Sequence, residues 1–68
     1  MYVFKKEILE NLGFSKTQKQ MAEIIGVSES YFSKIINSKR KCTKILAYSI
    51  TKTLNEQSEI SDFFERVD

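Results

Sequence analysis

Between Met21 and Ile36 the chain reads MAEIIGVSESYFSKII. A helix-spaced apolar run stops at Gly26 and restarts within two residues, behind Ser28. No other feature constrains the fold as much. It requires two helices joined by a corner so short that they must cross steeply. Ala22 is the small residue that lets the two backbones approach, and Gly26 turns the chain. Thr17 opens a capping-box pattern, TQKQ, and Ser28 stands at the N-cap of the second helix. Ser15 opens a similar pattern, SKTQ, but a start at Thr17 brings Met21, Ala22 and Ile25 onto one inward face. In the second helix Phe32, Ile35 and Ile36 form the apolar stripe, and Val27 is placed to staple onto Phe32. Its opposite face is left projecting: Glu29, Ser30, Ser33, Lys34 and Asn37.

Around this pair, spacing predicts three further short helices. The first runs from about Val3 to Leu12 with Phe4, Ile8 and Leu12 in a stripe, and Gly13 ends it while Phe14 folds back on Leu9. NSKRKC is a basic turn. Thr43 caps the next helix, in which Leu46, Ala47, Ile50 and Leu54 recur at helical spacing. Residues 55–57 form a polar break. A last amphipathic helix covers about 58–67, with Ile60, Phe63, Phe64 and Val67 at i, i+3, i+4 and i+7. These four have two uses open to them, as a lid on the first helix or as part of a dimer seam. The chain has no proline, two glycines and no strictly alternating stretch, which disfavours a sheet. The expectation is an all-α fold, a compact bundle of about five short helices, in one domain over 1–68. A chain of 68 residues buries only about 60% of its unfolded surface, so its core must be local.

The side chains exclude several kinds of chemistry. Cys42 is the single cysteine, so there is no internal disulfide framework or multi-cysteine zinc site, and it is expected as a small buried hydrophobe. With no histidine, the commonest general base and metal ligand are missing. Neither an enzyme nor a cofactor or metal site is expected. The net charge of +2 conceals a segregation. From Ser15 to Lys44 seven bases face two acids, giving +5, whereas from Ile45 to Asp68 two bases face five acids, giving −3. The basic middle would attract a polyanion. Apolar runs fall far short of the roughly 20 residues that cross a bilayer. MYVFKKEILE carries charges where a signal peptide has its apolar stretch. A soluble cytoplasmic protein without a membrane partner is expected.

TQKQMAEIIGVSESYFSKIINSKRK resembles the helix-turn-helix, over about 17–37, of the lambda-repressor/Cro-like (XRE) family of prokaryotic and phage transcription regulators. The matching positions are Thr17-Gln18, Ala22, Gly26-Val27-Ser28 and Ser33-Lys34-Ile35, with Asn37 and the basic run after them. The likeness covers about Ser15 to Asn55. It implies that Ser28, Glu29, Ser30 and Lys34 read base edges, that Gln18 grips a phosphate, and that Asn37 and the following bases contact the backbone. Side-chain chemistry agrees. Lys34 can donate to guanine O6/N7, and Glu29 can accept from cytosine N4 or simply favour the helix dipole. Lys39, Arg40 and Lys41 suit phosphates. Tyr31 either contacts the DNA backbone or a thymine methyl, or packs on the preceding helix. The chain departs from the family at Ser38, where glycine is frequent, at Lys16, usually apolar, and at Cys42, where proline is common. The resemblance implies a sequence-specific DNA-binding regulator: a Cro-like phage or mobile-element repressor that binds a double-stranded operator as a homodimer, with its third helix in the major groove. The competing reading is a modulator, such as an anti-repressor or antitoxin, that holds another regulator or a toxin on the same scaffold.

Overall fold

The computed structural model describes residues 1–11 and 16–67. Its elements run β1 (Tyr2–Phe4), α1 (Lys6–Asn11), α2 (Gln18–Ile25), α3 (Glu29–Ile36), α4 (Lys44–Leu54), α5 (Ile60–Phe63) and β2 (Phe64–Arg66). Helices dominate, as the spacing predicts, and the helix-turn-helix is α2 and α3. Capping sets the boundaries. Thr17 Oγ1 accepts from Gln20 N at 3.1 Å while Gln20 Oε1 accepts from Thr17 N at 2.9 Å, a complete capping box. Ser28 Oγ and Thr43 Oγ1 cap α3 and α4 by accepting from Tyr31 N and Leu46 N. At the far end of α4, Lys52 Nζ donates to the carbonyls of Glu56 and Ser58, closing the polar break.

Two expected helices are corrected. The first does not start at Val3: Tyr2–Phe4 is a strand and the helix begins at Lys6. The last does not cover 58–67: only Ile60–Phe63 is helical, and the chain straightens into β2. The two errors share a cause. Tyr-Val-Phe favours extended backbone, but a three-residue strand gains little without a partner. That partner lies about sixty residues away, so a local reading of either end misses it. The pairing is antiparallel, with Tyr2 opposite Arg66, Val3 opposite Glu65 and Phe4 opposite Phe64. Phe4 and Ile8 do lie at helical spacing, but they reach the core from different elements. Gly13 and the contact between Phe14 and Leu9 lie outside the described residues.

The core is formed by Phe4, Met21, Ala22, Phe32, Ile35, Ile36, Cys42, Ala47, Ile50, Phe63 and Phe64. The α2 helix packs on α3 and α4, and the small sheet closes the end of the bundle. There Phe4 stacks parallel to Phe63, with ring centroids 6.3 Å apart, and meets Phe64 edge-on at 5.2 Å. Phe63 and Phe64 are therefore buried against β1, and Ile60 packs half-buried beside them. Val67 is half-buried too, and its N–H donates to Met1 O at 2.9 Å, extending the ladder.

Candidate nucleic-acid interface

Gly26 makes the corner. Its φ of +93° lies in the left-handed region, and its N–H and that of Val27 both donate to Ala22 O. A Cβ added there would meet nothing within 4 Å. Backbone conformation, not close approach, is therefore what calls for glycine here. After the corner, Phe32, Ile35 and Ile36 are buried and anchor one side of α3. At about 100° per residue, the side facing directly away carries Ser30 and Lys34, with Ser33 and Asn37 beside them and Tyr31 on the flank. Ser28, Glu29, Ser30 and Lys34 are all exposed. Of the four residues expected to read bases, Ser28 is thus at the N-cap and Glu29, Ser30 and Lys34 are within α3, and only Ser30 and Lys34 share the side directly away from the core.

The end of α3 shows how a departure from the family pattern is accommodated. Ser38 takes the left-handed position itself, with φ 63°. Its N–H donates to Ile35 O at 3.0 Å and that of Lys39 to Lys34 O at 2.9 Å, the pair of bonds that defines a Schellman cap. Ser38 Oγ also donates to Phe4 O at 2.6 Å, tying the turn to β1. Four residues on, Cys42 N–H donates to Tyr2 O and Tyr2 N–H to Cys42 O, both at 2.8 Å. The basic loop Lys39-Arg40-Lys41 is therefore held at both ends by the same strand, while its three side chains stay exposed. Cys42 is buried, and burial pushes its thiol up from 9.0 to about 11, against a smaller downward pull from the N-terminal ammonium.

Three further positions refine the sequence reading. Gln18 is half-buried at the first position of α2, where its amide and that of Lys19 have no acceptor within the helix. Asn37 Nδ2 donates to Ser33 O at 2.7 Å and to Ser33 Oγ at 3.3 Å, which ties its amide to the last turns of α3. Ser33, absent from the base-reading set drawn from sequence, sits on the outward side with a hydroxyl proton still free to donate. Its spacing from Ser30 and Asn37 was the available signal. Tyr31 is half-buried against the core, and the Arg40 guanidinium lies 4.9 Å from the centroid of its ring.

All seven bases between Ser15 and Lys44 are exposed. Lys34 lies on the outward side of α3 and Lys39, Arg40 and Lys41 in the loop that follows it, whereas Lys44 lies with Tyr2, Glu59 and Arg66 near the sheet end and Lys16 with Glu56 at the end of α4. A steep two-helix corner that projects its second helix from a cationic surface defines a DNA-binding helix-turn-helix protein. A family model described as Helix-turn-helix matches residues 5–60. The chain belongs to the lambda-repressor/Cro-like (XRE) helix-turn-helix family of DNA-binding regulators. No curated protein and no solved structure matches it. Among the described residues, no helix is long and apolar enough to cross a membrane.

Proposed function

We propose that the chain is a sequence-specific repressor that occupies a double-stranded DNA operator as a homodimer, with α3 of each copy in the major groove. The observation that carries this reading is the outward side of α3, where Ser30, Ser33 and Lys34 form a donor-rich strip edged by exposed bases. In this arrangement Ser28, Glu29, Ser30, Ser33 and Lys34 face base edges. Gln18, with the free amides of α2, and Lys39, Arg40 and Lys41 take phosphates. Geometry supports two copies. The longest dimension of the chain is 29 Å, whereas successive major grooves on one face of DNA are about 34 Å apart. One copy therefore reaches one groove, and a two-fold operator takes two. The family's phage members make a phage or mobile element the proposed setting.

Selection of bound duplexes from a random pool tests this, and a palindromic consensus is expected. On that site Lys34→Ala should lose about 1–3 kcal/mol and relax choice at one base position per half-site. Arg40→Ala should weaken preferred and unrelated DNA alike. Four to six neutralised phosphates would give log K against log salt a slope near −4 to −5, roughly. Recovery of no sequence, with binding insensitive to salt, would refute the reading.

One observation favours a second reading, a modulator that grips another regulator or a toxin. On α4, Ile45 is 81% exposed and Tyr48, one turn on, is 54% exposed, an apolar pair with no use in groove reading. Co-purification of a second protein that Ile45→Ser releases, without DNA binding at low salt, would establish it.

A further inference from the structure

The Arg40 side chain does not wave free from its loop. Tyr31 lies on the first turn of α3 and Arg40 four residues beyond the helix end, yet the two meet. The Schellman turn at Ser38 reverses the chain. The bonds of Ser38 to Phe4 and of Cys42 to Tyr2 then hold the returning segment alongside α3. With the backbone pinned at both ends, the freedom left to Arg40 is in its long side chain, and the Tyr31 ring limits that. Tyr31 is itself half-buried against the core, so its ring offers a fixed platform. A guanidinium over an aromatic ring gains from the ring quadrupole while its in-plane N–H donors remain free at the edge. Among the described residues, neither Lys39 nor Lys41 has such a platform.

We propose that Tyr31 is a positioning residue: it holds the Arg40 guanidinium, edge outward on the flank of α3, for a bidentate grip on the phosphate beside the groove. The idea rests on the DNA-binding reading above and changes one part of it. Tyr31 serves the interface through Arg40 rather than by touching DNA. Arg40 is then the base of the loop whose side-chain ordering is largely complete before binding. Arginine is specifically required, because an ammonium cannot offer a planar fork.

The test combines a spectroscopic reading on the free protein with a double-mutant cycle on DNA. In the nuclear magnetic resonance spectrum of the unbound chain, the Arg40 δ protons should be shifted upfield by the ring. That shift should survive Tyr31→Phe and vanish in Tyr31→Leu. On the selected duplex, Tyr31→Leu should weaken binding about two- to fivefold, and Tyr31→Phe should restore it. In an Arg40→Ala background, Tyr31→Leu should change nothing further. Random-coil shifts for Arg40 in the unsubstituted chain would overturn the proposal without any variant having to fold. So would equal losses from Tyr31→Leu in both backgrounds, with wild-type binding intact, since the ring would then act on its own. Failure of the unsubstituted chain to bind any duplex would instead remove the DNA-binding reading, and the role of the pair with it.

Discussion

Ser38 balances two opposed terms at a single position. A non-glycine residue in the left-handed region is strained by roughly 1–2 kcal/mol, whereas its hydroxyl bond to Phe4 O at 2.6 Å offsets about 0.5–1.5 kcal/mol. Ser38→Gly removes both, and its melting temperature should stay close to that of the parent. Ser38→Ala keeps the strain, loses the bond and should cost about 0.5–1.5 kcal/mol, or roughly 2–12 °C. Equal melting of the alanine and parent proteins would show that the hydroxyl contributes nothing. Cys42 makes a prediction of a different kind. Its folded pKa, about 11, lies above the ordinary 9.0, so the folded state holds the thiol proton more tightly. The stability this confers is complete below pH 9 and is lost as pH rises through 11, by up to about 2–3 kcal/mol. Lysines and tyrosines also titrate there, so the measurement is the difference between wild type and Cys42→Ala in denaturant melts at pH 8 and pH 11. A constant difference would contradict the burial argument.

At the scale of elements, the corner between α2 and α3 makes the clearest demand. Open space around Gly26 means that a side chain is penalised by backbone conformation alone. Gly26→Asn should cost little, Gly26→Ala about 1 kcal/mol, and Gly26→Val more, roughly 1–3 kcal/mol. Thermal melts of the three would order them, and a valine variant as stable as the asparagine one would contradict the argument. This corner was legible because its determinants are local: a cap, a glycine and apolar residues at fixed offsets. The caps at Thr17, Ser28 and Thr43 were legible for the same reason. The two ends of the chain were not, since β1 and β2 stabilise each other across a separation that periodicity cannot register. The pattern of Ile60, Phe63, Phe64 and Val67 is satisfied as far as Phe64 by a helix and after that by a strand. Within the interface, the exposed residues of α3 followed from spacing. The bond from Asn37 to Ser33 and the stack of Arg40 on Tyr31 did not, because each depends on which rotamer the surroundings permit.

At the scale of the whole molecule, the three phenylalanines at the sheet end join the first strand to the last. Truncating one buried phenylalanine costs about 3–5 kcal/mol. A domain of this size has a total stability of about 3–10 kcal/mol. Phe64→Ala should therefore bring the chain to the edge of unfolding at 37 °C, while Ile45→Ser on the surface leaves the melt unchanged. A Phe64→Ala protein melting within a few degrees of wild type would show that the sheet end is dispensable. The same arrangement has a consequence in time. A ribosome makes Phe64 some sixty residues after Phe4, an interval of about 3–12 seconds at 5–20 residues per second. Throughout that interval β1 lacks β2, and the backbone bonds open to it are those with Ser38 and Cys42. The loop carrying Arg40, which hangs from β1, reaches its final position only when β2 arrives and the sheet shuts.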